Sequence, residues 1–452
     1  MSNGIRQRGS IFTGLLLIVI GVIFLLDRFD PTFHLGHLIR MYWPVLIILW
    51  GLAKLIDYFA AQRSGEPRAA LLSGGEAALM ILLAFVLAGF VFRDWIRDHY
   101  PDIDVDIPPF HQSYSQSRQI ASQTLPTGAH VLIDIGYGDI TIHGVDSSDL
   151  RIGLKESAWA LSQSAADEQM RNTDIVVEQM GSTYHVHPVR RGVFQPRVST
   201  DLDIALPRTT SVEIRTDRGD IDVGGIVAAV AVRSGTGDID VHDSGSDIAA
   251  ELQHGDAKIS GVSGNVKLTG RGDDVDLSNV SGDATIEGAF VGSIRASNIA
   301  KTLRCTSPWS DLTVTHLTGR LEADSGDISL SGASGPVRLV AHNKDFDVKN
   351  VSGRIEIVNT HGDVKVNYAA PPHDGLSVTN DSGDTDVTLP AGSSFGINAV
   401  SRSGEVKSDF EAASLKTSNE EDRGQINGTV GAGGPMFNIT TSYGTIHLHK
   451  AG

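Results

Sequence analysis

From about Ser211 to His449 the apolar residues come in pairs one residue apart, and each pair keeps a fixed distance from an aspartate. Counted from that anchor, they sit at −8 and −6 and again at +1 and +3. Val212 and Ile214 precede Asp220, with Ile221 and Val223 after it. Val230 and Val232 lead to Asp238, then Ile239 and Val241. Val266 and Leu268 lead to Asp274, then Val275 and Leu277. Val337 and Leu339 lead to Asp345, then Phe346 and Val348; Ile355 and Ile357 lead to Asp363, then Val364 and Val366. The residue between the members of a pair is polar, as with Asp222, Lys267, Arg338, Glu356 and Lys365. Alternation with period two is the signature of a half-buried strand. Each unit therefore predicts two short strands with one apolar face.

The anchors fall at 220, 238, 256, 274, 311, 327, 345 and 363, so the period is 18 with one step of 16 and one double step of 37. The double step passes through a degenerate Gly292-Ser293-Ile294. The links read Gly-Asp or Ser-Gly, where glycine takes φ > 0 and Asp or Ser bonds nearby backbone. One such unit cannot bury its own apolar face, but stacked units can. The chain is thus expected to be mainly β, a repeat β-solenoid of about 18-residue coils. Roughly a dozen coils would stack about 4.8 Å apart.

The first hundred residues are different material. Apolar runs at Ile11–Leu26, Trp43–Phe59 and Ala77–Trp95 approach the roughly 20 residues a bilayer crossing needs. Tyr42, Trp43, Tyr58 and Trp95 fall where interfacial aromatics belong. A cleaved signal peptide is the competing reading of the first run, but Leu26-Asp27-Arg28-Phe29 offers no small-residue cleavage site. Three transmembrane helices are expected, at about 11–28, 41–59 and 76–96. Arg6, Arg8, Lys54, Arg63 and Arg68 favour an inside N-terminus, which puts everything after Trp95 outside the cytoplasmic membrane.

The remaining divisions follow from composition. Residues 101–124 read as an extended linker: Pro101–Pro109 is acidic and proline-bearing, and Gln112–Gln123 is rich in Ser and Gln. Residues 125–210 hold a first coil, in which Val131, Ile133, Ile140 and Ile142 flank Asp139 by the same code. They also hold an insertion with a helical pattern over Ser157–Arg171 (Trp159, Leu161 and Met170 its apolar members), expected to cap the stack. Residues 211–452 form the repeat domain, with a loop-like Asp409–Pro435 before a last coil carrying Phe437, Ile439, Ile446 and Leu448.

Two stretches resemble known families. Gly14–Leu26, followed by Tyr42-Trp43-Pro44 and the apolar run to Leu52, resembles the membrane region of LiaI- and LiaF-like bacterial envelope-stress proteins. The recurring Ser-Gly-Asp-Ile strands over about 125–450 are similar to a bacterial family of adhesin-named domains of unknown function, which implies a β-solenoid. Neither resemblance brings a catalytic residue.

Charge narrows the classes. The net charge is −17, and residues 101–452 hold 28 Lys/Arg against 47 Asp/Glu. An acidic rod is a poor ligand for nucleic acid, which rewards clustered Lys/Arg. The single cysteine, Cys305, excludes an internal disulfide framework. It holds a −6 position before Asp311 and reads as an inward-facing small residue.

Candidate chemistry has a plain counterpart each time. The Arg-Gly-Asp triplets at Arg218–Asp220 and Arg271–Asp273 contain the repeat's own Gly-Asp turn. The recurrent aspartates lack the nine-residue Gly-Gly-x-Gly-x-Asp spacing of calcium β-rolls. His185-Val186-His187 and His447-Leu448-His449 each put two imidazoles on one strand face, a start for a metal site without an evident third ligand. Aspartate ladders follow from repetition, so they do not single out a glycosidase pair. No catalytic, cofactor-binding or metal residue is therefore expected, and no cofactor.

The function expected is non-enzymatic: a membrane-anchored extracytoplasmic β-solenoid acting as an adhesion, scaffold or envelope-sensing surface. Its partners would be the lipid bilayer and either envelope polysaccharide or a membrane signalling protein. The alternatives are a LiaF-like regulator acting through its membrane helices, and a polysaccharide-acting β-helix enzyme.

Overall fold

The structure is a computed structural model and describes residues 112–160, 162–191, 198–420 and 423–451. The three expected membrane helices lie outside the described residues. Among those described, no helix is long and apolar enough to cross a membrane.

The two-strand reading of each repeat holds. The strand after each anchor joins the first of two largely parallel sheets and the strand before it joins the second, as in Ile239–Ser244 and Val230–Ser234. The regular coils stack in 18-residue register: Ile239 lies opposite Ile221 on one side and Ala257 on the other. The degenerate step is a true coil, with Ile294 between Val275 and Leu312. The first sheet has sixteen strands, of which all but the two antiparallel ones at its start run parallel, giving fourteen rungs.

Every −8, −6, +1 and +3 residue of the coils anchored at Asp220, Asp238, Asp274, Asp345 and Asp363 is buried. Each such side chain contributes about 1.5–3 kcal/mol, a gain that recurs in every coil. Two further inward positions were not anticipated. Position −4 is commonly a buried polar residue, as at Thr216, Ser234, Asn359 and Asn380. Position +6 is Ile226, Ser244, Val262, Val280, Ile299, Leu317, Ala333 or Val351. Alternation from +1 and +3 would send +5 inward, but +5 adopts a left-handed backbone that turns +6 in instead. Gly225, Asp243, Gly261, Asn279, Asn298, His316, Gly332 and Asn350 all have φ between 53° and 73° there, a region tolerated by Gly and by Asn or Asp.

The ends depart from sequence order. The first coil (His130–Tyr137 and Ile140–Val145) lies second in space. The later segments Thr183–Arg190 and Val198–Pro207 stack outside it, and Ser211–Arg218 and Ile221–Gly224 stack on its inner side. The far end repeats the device. The last coil (Met436–Tyr443 and Ile446–Ala451) slots between the coil Leu376–Pro390 and the earlier-made Phe395–Ser408. The first and last coils are thus each held between two rungs, where fraying is opposed on both sides.

Three local expectations are corrected. Gln112–Thr124 is a 13-residue strand, not linker: it pairs antiparallel with Asp149–Ala160, and its Gln116 and Arg118 meet the buried carboxylate of Glu156. The helix is shorter than Ser157–Arg171. Ser157–Ala160 complete a strand, and α1 (Gln163–Arg171) begins where the Ser162 side chain accepts the N–H of Ala165; Leu161 lies outside the described residues. The Asp409–Pro435 loop contains two antiparallel strands, Lys416–Glu420 and Arg423–Val430. The outermost, Lys416–Glu420, is exposed at all five residues and polar, a composition that discourages further strand addition.

Candidate functional site

The recurring aspartates have a common task. The Asp220 carboxylate accepts the backbone N–H of Asp238 at 2.8 Å, Asp238 that of Asp256 at 2.8 Å, and Asp256 that of Asp274 at 3.0 Å. Asp327, Asp345 and Asp363 continue the row through Asp345, Asp363 and Asp384. The carbonyl of each anchor in turn accepts from the rung before, as when Ile221 donates to Asp238. A second, shorter row runs Asp247, Asn265, Asp283, Thr302 at another corner. The N–H donated by Ser293 holds the Asp274 carboxyl below its usual range, and that donated by Thr302 does the same for Asp283.

The glycine before the anchor is required twice over. Gly237 has φ 129°, and a Cβ on it would lie 2.3 Å from the carbonyl oxygen of Gly219 one rung down. That is an impossible contact with backbone.

These rows account for the first Arg-Gly-Asp triplet. Asp220 belongs to the ladder, and the Arg218 guanidinium sits over the Tyr137 ring, 5.5 Å from its centre. In the second triplet Asp273 is not an anchor at all; Asp274 is, and the Asp273 N–H donates to the Gly255 carbonyl. The two triplets therefore sit at different places in the coil and present no common surface.

Outward faces carry charge rows. Asp134, Arg215, Arg233 and Glu251 stand in register across four rungs, and Arg233 pairs with Glu251 at 2.9 Å. On the first sheet Lys258 pairs with Asp240 at 2.7 Å and Arg295 with Asp276 at 3.2 Å. Exposed pairs of this kind contribute little each. Cys305 is buried between Ile286 and Ala323, and burial pushes its thiol up to about 12. That is a core residue, not a nucleophile.

The two His-x-His pairs part company. His185 and His187 lie with ring centres 4.4 Å apart, and Glu178 stands 3.6 Å from His187. His447 and His449 lie 3.6 Å apart and meet carboxylates on both sides. His449 Nε2 is 3.4 Å from Asp386 Oδ1 and His447 Nε2 is 3.2 Å from Asp409 Oδ1. The third ligand type that the sequence lacked is supplied here by rungs 63 and 38 residues distant from their histidines.

Residues 263–449 match the family model described as Toastrack DUF4097, and residues 11–55 match the LiaI-LiaF-like transmembrane region. No curated protein matches the chain. Among solved structures, one from Clostridium sporogenes described as a cell adhesion protein aligns over 75% of this chain and 100% of its own, at 11% identity and a TM-score of 0.17. One from Bacteroides fragilis described as an adhesin covers 75% and 97%, at 12% identity and a TM-score of 0.19. One from Parabacteroides distasonis described as a lipid binding protein covers 75% and 97%, at 10% identity and a TM-score of 0.20.

Proposed function

We propose that this chain, in which a LiaI-LiaF-like transmembrane region precedes a Toastrack DUF4097 domain, is a non-enzymatic membrane-anchored protein. Its β-solenoid stands outside the cytoplasmic membrane as an adhesion, scaffold or envelope-sensing surface. The observation that carries this reading is the use to which the repeated polar residues are put. The anchors spend their carboxylates on the next rung's N–H, and the outward charges pair along the rows. Repetition thus builds a stiff, charged, two-faced surface of fourteen rungs, a form suited to contact along its length.

The test compares the full chain with a secreted form lacking residues 1–100, scored for retention on isolated cell envelopes and for cleavage of an envelope-glycan panel. Retention by both forms without cleavage is the expected result. Glycan cleavage would establish an enzyme. Loss of function on deletion, with the soluble domain still folded, would favour a regulator acting through the membrane helices, a reading that the match over residues 11–55 supports.

A further inference from the structure

We propose that Asp386, His447 and His449 form a binding site for one divalent transition-metal ion of the zinc class, with Asp409 positioning both imidazoles. The site exists only because of the swapped order of the last coils. Asp386 comes from Thr385–Pro390, both histidines from the adjoining Ile446–Ala451, and Asp409 from just beyond Val406–Ser408 on the far side. Asp386 stands directly opposite His447. Residues two apart in a strand share a face, so His447 and His449 point outward together while Leu448 between them is buried.

One donor atom from each of the three residues lies within 4.8 Å of the others. Zinc bound by imidazole nitrogen and carboxylate oxygen at about 2.0–2.2 Å holds tetrahedral ligands roughly 3.3 Å apart. Binding requires rotation of these half-buried side chains to close the difference. Two imidazoles and a carboxylate are a donor set that zinc accepts, leaving a fourth position for water or an external ligand.

Asp409 is fixed in place independently. Its N–H donates to the Leu448 carbonyl at 2.9 Å, and its Oδ2 accepts the N–H of Lys450 at 3.3 Å. From there Oδ1 faces His447 Nε2 at 3.2 Å and Oδ2 faces His449 Nδ1 at 3.6 Å. A carboxylate behind a ligating imidazole selects its tautomer and holds its plane, and one ring nitrogen of each histidine is left for the ion. Two cations flank the site. Lys407, opposite His447, pairs with Glu405 at 2.7 Å, and Lys365 stands in register beside Asp386.

The test is zinc titration by calorimetry of the full chain in detergent after chelator treatment, with cobalt(II) absorption as a second readout. One zinc per chain is expected, with a tetrahedral cobalt spectrum. His447→Gln with His449→Gln should abolish the site, and Asp386→Asn alone should lose most of the affinity and the cobalt signature. Asp409→Asn should weaken binding about 10–100-fold, while His185→Gln with His187→Gln should change nothing. Metal-free melting of each variant shows whether its fold is kept. Absence of a stoichiometric site in the wild type, retention of it in the double His447/His449 variant, or loss that follows His185 and His187 would overturn the proposal.

Discussion

The Asp384 carboxylate accepts the backbone N–H of Thr445 at 2.7 Å across 61 residues of chain. In the regular stack the same bond links anchors 16 to 21 residues apart. The other end shows the counterpart: Asp201 accepts from Asp139, and Asp139 from Asp220. The ladder therefore follows order in space, not order in sequence.

That role separates the two residues of the Gly-Asp turn. Asp238→Asn should cost little, because the amide oxygen still accepts the next N–H; Asn265 already does so in the shorter row. Asp238→Ala removes the bond and should cost about 1 kcal/mol. Gly237→Val should cost several times more, since both its φ and its contact with Gly219 forbid a side chain. Thermal melting of the three variants ranks them, and a severe Asp238→Asn would contradict the ladder.

Facing direction can be read from neighbours in one strand. Val364 is fully buried, so Val364→Asp places a charge without a partner in the stack and should cost several kcal/mol. Lys365 is exposed, and Lys365→Ser should stay within about 0.5 kcal/mol. Lys365 also lies between Asp347 and Asp386, so Lys365→Asp should cost up to about 1 kcal/mol through like charges in register. Denaturant titration distinguishes all three.

Acid should weaken the stack in a defined window. Hydrogen bonds from Ser293 and Thr302 hold Asp274 and Asp283 below their usual range, and the Arg304 side chain does so for Glu322. A carboxylate depressed in the folded state contributes stability above its unfolded value of about 4, and that contribution disappears as pH falls through the lower folded value. Melting temperature should therefore respond little to these groups between pH 7 and about 5 and fall below about 4. Asp274→Asn and Asp283→Asn should flatten that fall; an unchanged acid limb would show that the bonds are not made in solution.

Cys305 should resist alkylation in the native protein and react stoichiometrically in denaturant, since its thiol is buried and held protonated. Rapid native labelling, followed by mass spectrometry, would mean that the coil opens there.

Topology has a direct check. With the N-terminus and the 60–74 loop inside and the solenoid outside, tags at Ser64 and after Gly452 should label on opposite sides of the membrane. Same-side labelling would remove both the three-helix count and the extracytoplasmic placement.

The coil itself was legible in the sequence. Burial of an apolar pair on each side of a turn repeats in every unit, so Val230, Val232, Ile239 and Val241 declare their inward positions by spacing alone. The +5 bulge was also written there, as a column of Gly, Asn, Asp and His residues, though it shows only once the coils are aligned. Gln112–Thr124 was not legible. Its polar residues gain their place from hydrogen bonds to Asp149–Ala160 and from the buried Glu156, while Tyr114 and Ile120 pack against apolar clusters.

Order at the ends was decided by tertiary structure alone. Because every coil presents the same apolar positions and the same ladder of donors and acceptors, any coil can stack on any other. Nothing in the local pattern of 436–451 says whether it belongs outside 395–408 or beneath it. The antiparallel strands Arg423–Val430 and Lys416–Glu420 pair on the outer side of Phe395–Ser403, which leaves its inner side for the last coil. That choice brings Asp386, Asp409, His447 and His449 together from three rungs. The sequence supplied the four side chains, and only the stacking order made them neighbours.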